Sequence, residues 1–341
     1  MTKVLVTGAT GFLGSHIVDQ CLAAGDEVRV LTRPTSNLGY LGTLSDIEIV
    51  HGDLGDAESL AAACKGVDVV HHSAGRVAET GRRELFWEAN VEGTRRLMDA
   101  ARGAGVGRFV YVSSPSVATE YDTDRFGIDE SEPYVRNPKS YYVETKAVAE
   151  REVLAANTSD FTTCALRPRM IWGPRSGGWM TLLLNKIRSG RLPDLSGGKQ
   201  VLVSITYCEH AARACVQASR SDHVAGKAYF LADAEDVDLW AFARDLATAL
   251  DLTPPTKTIP KPALTLAITI FDTIWKIPGL QDRIAPPLSS WTVAALTVSN
   301  TYDTTAAHRD FDYEPTVSLH EGLNRYVEWV HSIGGLDALP A

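Results

Sequence analysis

Tyr142 and Lys146 are the residues of this chain whose types and spacing most directly indicate chemistry. They stand four positions apart, so on a helix they share one face. A phenol with an ordinary pKa of about 10 is a poor acid–base catalyst at neutral pH, and a nearby ammonium group lowers that pKa. We therefore expect Tyr142 to exchange a proton with a substrate oxygen while Lys146 assists it. Tyr141 lacks such a partner, because Thr145 stands at the same spacing from it.

Two serines and an asparagine are candidates for supporting roles. Ser113 and Ser114 follow the predicted strand 109–112, where a hydroxyl can hydrogen-bond a substrate oxygen, although turn and cap serines also occur at such places. Asn90 lies inside a predicted helix. It is either a surface residue or one that disturbs the helix and holds a water near Lys146.

A glycine-rich turn near the start of the chain indicates a phosphate site. Residues 7–14 read TGATGFLG between a short apolar run and a helical stretch. Glycine lets the backbone approach a pyrophosphate, and the helix N-terminus offers N–H groups and a positive dipole end. The Gly-x-x-Gly-x-x-Gly spacing differs from the commonest dinucleotide fingerprint, but the strand–turn–helix context favours a cofactor site over a plain chain reversal. The expected contacts are Gly8, Thr10, Gly11, Phe12, Leu13 and Gly14.

The residues after the next strands bear on the identity of the cofactor. The second strand ends Leu31-Thr32-Arg33, without the acid that binds a ribose 2′-hydroxyl in NAD sites. Arg33 could pair with a 2′-phosphate, or it could be a surface arginine beside a turn proline. We predict that NADP(H) is preferred over NAD(H). Further cofactor contacts are expected from Asp53, which can meet the adenine, from Leu54, and from Ser73, Ala74 and Gly75 beside the ribose and nicotinamide.

These residues must be positioned by a regular alternation of strands and helices. Strand patterns at 4–6, 27–32, 47–51, 67–71, 109–112 and 162–166 alternate with helical patterns at 15–24, 57–64, 84–102 and 141–156. Continuous apolar strands separated by helices predict an α/β fold with a Rossmann-type, doubly wound parallel sheet. Beyond Pro168 we expect helices at 180–189, 208–219, 239–250 and 318–332, and strands at 201–206 and 228–231. We predict an NADP-binding domain over 1–170 and a smaller α/β substrate lobe over 171–341, part of which returns to the sheet.

Composition excludes several other classes of protein. Hydrophobic residues make up 45% of the 341, which is enough for a large core, and the net charge of −9 without basic runs argues against nucleic acid as a partner. Five cysteines without a CxxC pair favour buried thiols over a disulfide framework or a metal site. With no signal-peptide pattern and no uninterrupted stretch of about 20 apolar residues, we expect a cytoplasmic protein.

The segment 260–280 is the most apolar part of the second half. Five large apolar residues recur there at helical spacing: Leu264, Ile268, Phe271, Ile274 and Trp275. The segment is interpreted as a core-facing helix, as a lid over an apolar substrate, or, least favoured, as a helix resting on a membrane surface. Together with Trp291, it leads us to expect a hydrophobic small-molecule substrate.

The motifs, taken in order, resemble the extended short-chain dehydrogenase/reductase superfamily over nearly the whole chain. The segments TGATGFLG, HHSA, NVEGT, YVSSPSV, YVETK and ALRPRMIWGP carry the resemblance. It implies that Ser114, Tyr142 and Lys146 form a catalytic triad, that Asn90 supports it, and that Lys146 also holds the nicotinamide ribose. Ser114 is preferred over Ser113 because it stands three residues before Val117, as the family's serine or threonine does. Pro168, Arg169 and Met170 would line the nicotinamide, and helices around 90–102 and 142–156 would pair across a homodimer.

Within that superfamily the chain is similar to the 3β-hydroxysteroid dehydrogenase branch. The segments ESEPYVRNPKSYYVETKAVAEREVLAAN, TCALRPRMIWGP and GKAYFLAD carry this likeness. The branch includes sterol dehydrogenases and bacterial reductases of 2-alkyl-3-oxoalkanoates. Many of its steroid enzymes have an acid after the second strand and use NAD, whereas Arg33 here indicates NADPH and a reductase. The resemblance implies an oxidoreductase that interconverts a 3-oxo and a 3-hydroxy group on a hydrophobic substrate.

Two other functions are compatible with parts of this pattern. A nucleotide-sugar epimerase or dehydratase uses the same triad, but the apolar segment at 263–275 suits a sugar nucleotide badly. A non-catalytic NADP-sensing protein would share the glycine turn, but such relatives usually lack the Tyr–Lys pair. Replacing Tyr142 with Phe discriminates between them, because an enzyme loses turnover and a sensor loses nothing.

Overall fold

The computed structural model describes residues 1–78, 81–138, 140–190, 192–259 and 290–340 of the chain. The apolar segment 260–280 lies outside the described residues, as does the side chain of Trp291. Its interpretation as a core helix, a lid or a membrane-surface helix therefore stays a prediction.

The strands of the described residues are short and are distributed over both halves of the chain. In chain order they are β1 (Lys3–Thr7), β2 (Glu27–Thr32), β3 (Ile47–His51), β4 (Val69–His72), β5 (Arg108–Val112), β6 (Arg125–Ile128), β7 (Thr162–Pro168), β8 (Ile171–Trp172), β9 (Leu202–Val203), β10 (Thr206–Tyr207), β11 (Lys227–Leu231), β12 (Val237–Asp238) and β13 (Asn300–Tyr302).

The helices of the described residues alternate with these strands. They are α1 (Phe12–Ala23), α2 (Ala57–Cys64), α3 (Arg83–Trp87), α4 (Gly93–Gly103), α5 (Tyr141–Ala155), α6 (Trp179–Arg188), α7 (Cys208–Arg220), α8 (Leu239–Ala249), α9 (Ser290–Thr297), α10 (Thr305–Phe311) and α11 (Leu319–Ser332). A π-helical turn, Glu88–Glu92, joins α3 to α4. Several helices begin at a side-chain cap: for example, the Asp56 carboxylate accepts from two backbone N–H groups of α2, and Ser318 caps α11.

Seven strands form one parallel sheet in the order β11-β7-β5-β4-β1-β2-β3. Successive residues of a strand point to opposite faces, and here both faces are apolar. Val4 and Val6 of β1 belong to a core shared with α1 and α7, whereas Leu5 belongs to a second core shared with α2, α4 and α5. The predicted Rossmann-type, doubly wound sheet is confirmed.

The second half of the chain builds a smaller layer and also completes the large sheet. β12, β9, β13 and β6 form a four-stranded sheet, and β10 pairs with β8. β6 comes from the first half of the chain, whereas β11, at the edge of the large sheet, comes from the second. The two halves therefore exchange strands, and residues of both halves share one core.

The predicted elements of the second half are present with small shifts, apart from one strand. The predicted strand 201–206 is wrong, because Leu202–Val203 and Thr206–Tyr207 belong to different sheets. The break falls at Ser204, whose hydroxyl donates to Asp236 Oδ1 at 2.6 Å and accepts from the backbone N–H of Tyr302 at 3.0 Å. These side-chain bonds stand beside a backbone bond, since the Ser204 N–H still donates to the Asn300 carbonyl at 3.1 Å.

The described residues show neither a membrane-spanning helix nor a metal-binding cluster of side chains. None of the helices among them combines the length and the apolar character that crossing a bilayer requires. Within the same residues, no group of three or more His, Cys, Asp or Glu side chains is arranged to hold a metal ion.

Candidate active site

The turn between β1 and α1 is built around glycines, whose lack of a side chain permits close approaches of the backbone. Gly8 has φ +71°, and a Cβ placed on it would lie 2.6 Å from the backbone nitrogen of Ala74. A Cβ on Gly14 would lie 2.1 Å from the Gly8 carbonyl oxygen. The N-cap of α1 is Gly11, without a cap bond from any described side chain, so the first N–H groups of the helix can bind an anion. These features fit the pyrophosphate of a dinucleotide.

A cavity of about 2130 Å³ collects most of the predicted cofactor and catalytic residues. It is lined by Gly8, Thr10, Gly11, Phe12, Leu13, Gly14, Ser73, Gly75, Ser114, Tyr142, Lys146, Pro168 and Met170. Ala74 lies behind this surface, with its backbone against Gly8. The large sheet thus brings together, at the carboxyl ends of its strands, residues that lie up to 162 positions apart.

The predicted adenosine contacts lie outside this cavity lining. Arg33 follows β2, Asp53 and Leu54 follow β3, and both Arg33 and Asp53 are exposed. The Asp53 carboxylate accepts from the backbone N–H of Gly55 at 2.8 Å. β2 and β3 are paired neighbours, so these residues share one edge of the sheet. Their contacts with a cofactor stay predictions.

Lys146 is a buried residue of α5. Its Nζ donates to the carbonyl oxygen of Val112 and lies 4.0 Å from the centre of the Tyr111 ring. Burial lowers the pKa of Lys146 to about 7, and the charge of Glu150 acts in the opposite direction. Tyr111 was not identified from the sequence, because an aromatic residue in a buried strand is indistinguishable from ordinary core.

Tyr142 does not have the lowered pKa that the sequence led us to expect. Burial raises the pKa of its phenol to about 12, and only the hydrogen bond with Ser114 acts to lower it. The expectation that the Lys146 ammonium lowers this pKa is therefore wrong for this structure. The physical reason is that the ammonium is directed at the Val112 carbonyl and the Tyr111 ring.

The two candidate serines differ in their surroundings. The Ser114 hydroxyl interacts with the Tyr142 phenol, lies 2.9 Å from the Ser116 hydroxyl, and caps the short helix Pro115–Val117. The Ser113 hydroxyl is buried and finds no partner among the described residues. Ser114 therefore combines the cap role with a position beside Tyr142, and it is the serine that can share a substrate oxygen with that phenol.

Asn90 lies in the π-helical turn and is buried, which excludes the surface alternative. Its Oδ1 accepts from the backbone N–H of Arg76 at 2.7 Å. Its Nδ2 donates to the Arg76 carbonyl at 3.2 Å and to Thr145 Oγ1 at 3.0 Å. The amide thus ties the loop after β4 to the residue before Lys146 and does not contact the lysine itself.

His72 extends this polar network to the glycine turn. Its ring nitrogens lie 2.7 Å from Thr7 Oγ1 and 2.9 Å from Thr94 Oγ1. Thr94 donates to the Asn90 carbonyl, so it must accept from His72 Nε2, which leaves Nδ1 to accept from Thr7. Burial, aided by the charge of Lys146, lowers the pKa of His72 to about 3, in agreement with a neutral ring.

A second buried network lies one helical turn beyond Lys146. Glu150 is fully buried and forms an ion pair with Arg167 at 2.5 Å, and it accepts from the Tyr134 phenol at 2.8 Å. Arg167 precedes Pro168, at the end of β7. The i+4 spacing from Lys146 to Glu150 was a signal that sequence reasoning missed.

Arg175 joins the loop after β8 to α1 along one wall of the cavity. Its Nη2 lies 2.6 Å from His16 Nδ1 and 2.5 Å from Asp19, and its guanidinium carbon lies 4.0 Å from the Tyr40 ring centre. His16 Nε2 in turn donates to the Pro174 carbonyl at 2.8 Å. No sequence signal connects these residues, because Arg175 lies more than 150 positions from α1.

The far side of the cavity is mainly apolar and comes from the second half of the chain. It is lined by Leu182, Leu183, Leu192, Leu195, Leu239, Trp240, Ala243, Leu296, Trp329 and Ile333. The second half of the chain therefore contributes mainly apolar contacts to the cavity that Ser114 and Tyr142 also line.

Comparison with known proteins places this site in context. Residues 5–261 match the model of the 3-beta hydroxysteroid dehydrogenase/isomerase family. The chain is 34% identical to a 2-alkyl-3-oxoalkanoate reductase of Stenotrophomonas maltophilia, over 95% of this chain and 98% of that protein. It is 33% identical to a 3 beta-hydroxysteroid dehydrogenase/Delta 5→4-isomerase of Mycobacterium tuberculosis, over 97% and 91%.

A solved structure with a bound cofactor is also similar. It is a double mutant of DesIV, a dTDP-glucose 4,6-dehydratase from Streptomyces venezuelae, with NAD bound. The match has a TM-score of 0.75 at 25% identity and covers 97% of each chain. The fold of this chain is thus shared with a protein that binds NAD.

Proposed function

The chain belongs to the 3-beta hydroxysteroid dehydrogenase/isomerase family and is a nicotinamide-dependent oxidoreductase; we propose that it interconverts a ketone and a secondary alcohol at the 3-position of a hydrophobic substrate with NADP(H). One observation carries the proposal. Ser114, Tyr142 and Lys146 open into the same cavity as the glycine turn, and the opposite side of that cavity is apolar.

The residues are suited to the reduction of a carbonyl group. A phenol with a pKa of about 12 is protonated at neutral pH, so Tyr142 can donate its proton to the carbonyl oxygen. Ser114 donates a hydrogen bond to the same oxygen and stabilises its developing charge. A bound reduced nicotinamide supplies the hydride that the carbonyl carbon accepts. Lys146, held against Val112 and Tyr111, binds the nicotinamide ribose.

The preference for NADP(H) rests on the end of β2. Arg33 is exposed there, and no acidic residue follows the strand. A guanidinium at this place binds a 2′-phosphate and leaves a 2′-hydroxyl without its usual acidic partner. Replacing Arg33 with Ala should lower kcat/KM for NADPH by about 10–100-fold and leave that for NADH within about twofold. A wild-type protein with the higher kcat/KM for NADH would overturn this assignment.

The nature of the substrate is supported by the apolar lining. Side chains such as Leu183, Trp240 and Trp329 offer contact area to an alkyl chain or a sterol skeleton and few partners to a sugar nucleotide. The names of the reductase and of the steroid dehydrogenase described above agree with such a molecule. A 2-alkyl-3-oxoalkanoate or a sterol-like ketone is therefore the proposed substrate class.

The deciding experiment measures oxidation of NADPH, beside NADH, with three substrates: a long-chain 2-alkyl-3-oxoalkanoate, a steroid 3-ketone and a UDP-sugar. We expect turnover of an apolar ketone with NADPH. The Tyr142→Phe variant should lose at least about 100-fold in kcat and bind NADPH as the wild type does. Conversion of the UDP-sugar alone would favour an epimerase or dehydratase. Tight NADPH binding without turnover of any related substrate would favour a sensor.

A further inference from the structure

Arg169 is a buried cation at the junction of the cofactor and substrate sides of the cavity. It follows the last residue of β7, is 6% exposed, and lines the cavity together with Tyr121, Ser114 and Tyr142. Its Nη1 donates to the Tyr121 phenol at 3.1 Å, and the Tyr121 ring centre lies 5.0 Å from the guanidinium carbon. Its Nε and Nη2 have no hydrogen-bond acceptor among the described residues.

The other strongly buried arginines are neutralised differently. Arg167, two residues earlier, forms an ion pair with Glu150, and Arg29 forms one with Glu48. Arg169 forms no ion pair within the described ranges, although a guanidinium keeps its charge in proteins. Burying an unpaired charge is unfavourable, so such groups concentrate at functional sites. The missing partner is an anion.

The unpartnered edge of Arg169 has the right form for a carboxylate. Nε and Nη2 together present two parallel N–H groups, the arrangement that binds a carboxylate through both of its oxygens. Both atoms are covered in this structure. Tyr121, which lies against the guanidinium, belongs to the irregular segment between the helix Pro115–Val117 and β6. A carboxylate that reaches Nε and Nη2 must therefore displace part of this covering, and Tyr121 is a described side chain of the cavity lining that contacts the guanidinium.

We propose that Arg169 binds a carboxylate of the substrate, so that the site selects 3-oxo and 3-hydroxy acids over neutral 3-ketones and 3-alcohols. The inference rests on the proposed function and narrows its substrate class. In a 3-oxo acid a single carbon separates the carboxylate from the ketone. Both groups must therefore be recognised close together, and Arg169, Ser114 and Tyr142 line the same cavity. Arg169 is then a residue that determines specificity at this site.

The test compares a 2-alkyl-3-hydroxyalkanoic acid with its methyl ester. It runs in the direction of oxidation with NADP⁺, because free 3-oxo acids lose CO₂ in solution whereas the hydroxy acids are stable. We expect the wild-type kcat/KM for the acid to exceed that for the ester by about 100-fold. Arg169→Gln should remove most of this difference, mainly through KM for the acid, and leave the ester within about threefold. Arg169→Lys, which keeps the charge but not the two-pronged geometry, should fall between them.

Two controls separate recognition from folding and from general charge. Lys186→Gln removes another cation of the cavity lining and should leave the ratio of acid to ester unchanged. Calorimetric titration of the acid into Tyr142→Phe protein loaded with NADP⁺ measures binding without turnover. Adding Arg169→Gln to that variant should abolish the binding signal for the acid.

Several outcomes would overturn the assignment of Arg169. One is equal wild-type kcat/KM for acid and ester. Another is an equal loss for both substrates in Arg169→Gln and Arg169→Lys, which would indicate a structural role. Should Arg169→Gln fail to fold, the wild-type ratio of kcat/KM for acid and ester, together with the same ratio for Arg169→Lys, still tests the assignment. Turnover of a neutral steroid alcohol but of neither test compound would overturn this inference alone. Absence of turnover with every alcohol and ketone would overturn the proposed function itself.

Discussion

At the scale of single residues, the most informative feature is the environment of Lys146. Desolvation disfavours the charged form of this buried lysine, whereas the Val112 carbonyl, the Tyr111 ring and the charge of Glu150 favour it. Desolvation prevails, since the pKa falls to about 7. The sequence predicted the pair formed by Tyr142 and Lys146, because i and i+4 spacing fixes a shared helix face. It could not predict the direction of the pKa of Tyr142, which depends on packing against distant strands.

Lys146 should therefore reduce the stability of the cofactor-free protein. Its pKa is about 7 in the folded state against 10.5 as the ordinary value, so between these pH values the unfolded chain holds more protons. The free energy of unfolding of the wild type should then rise with pH from about 7 upward. Below pH 7, where Lys146 is charged in the folded protein, the destabilisation by the buried charge should have its full size. At pH 6 the Lys146→Met protein should have a free energy of unfolding about 1–3 kcal/mol above that of the wild type, seen as a higher urea midpoint. It should also lose turnover.

Urea titrations of both proteins from pH 6 to pH 10 measure this effect as a difference between two curves. Lys186→Met, which removes an exposed lysine of α6, controls for the loss of one positive charge. A Lys146→Met protein that is less stable than the wild type at every pH, by a constant amount, would contradict the prediction.

At the scale of elements, the π-helical turn between α3 and α4 positions the site. The extra residue of a π turn displaces the helix locally, and such turns concentrate at functional sites. Here the turn directs the Asn90 side chain inward, where it bonds to the loop after β4 and to α5. One asparagine thereby joins the loop after β4 to the helix that carries Tyr142.

Replacing Asn90 with Ala should weaken both folding and catalysis. The loss of three hydrogen bonds leaves the Arg76 N–H and carbonyl without these partners, which should lower the free energy of unfolding by about 1–3 kcal/mol. Misplacement of α5 should lower kcat by at least about tenfold. Glu88→Gln is the matched control in the same turn, where only an exposed ion pair with Arg96 is lost. Equal urea midpoints for Asn90→Ala and wild type would show that the amide is dispensable.

A substitution in the glycine turn tests whether this turn binds the cofactor. Gly14→Ala would place a Cβ 2.1 Å from a carbonyl oxygen of the turn, so the backbone must move away from its pyrophosphate-binding form. We expect the Kd for NADPH to rise by at least about 100-fold. Gly103→Ala, at the end of α4 with open space around the new methyl group, should instead leave Kd unchanged and add up to about 1 kcal/mol of stability. Fluorescence titration with NADPH and urea unfolding compare the two variants. Similar Kd values for both would contradict the prediction that the glycine turn binds the cofactor.

Prediction from the sequence succeeded where a pattern is local and failed where it is not. The parallel sheet and its helices follow from apolar runs and from helical spacing within single segments. β8 and β12, of two residues each, are defined by partners far along the chain and carry no period of their own. The place of Arg169 beside Pro168 and Met170 was predicted from the sequence, but its burial and its partners were not, since its surroundings come from Tyr121 and from Thr206 of β10.

At the scale of the whole molecule, the two halves interlock through exchanged strands. β11 and α7 of the second half complete one face of the large sheet, where Ala211, Cys215 and Tyr229 pack against α1 and β1. β6 of the first half in turn pairs with β13 in the smaller sheet. The cofactor side and the substrate side of the cavity are therefore parts of one packed structure rather than two separate bodies joined by a linker.

The first half should consequently fail to fold alone, although the sequence places the glycine turn and Tyr142 within residues 1–170. A fragment of these residues would expose the apolar face that α7 and α10 cover, and it would leave β7 as an unpaired edge in place of β11. We expect the fragment to lack near-ultraviolet circular dichroism and to bind NADPH at least about 100-fold more weakly than the full chain. The full chain should unfold in urea in a single transition, with the tryptophan fluorescence and the far-ultraviolet signal changing together. A soluble fragment with native dichroism and full affinity for NADPH would instead establish residues 1–170 as an independent domain.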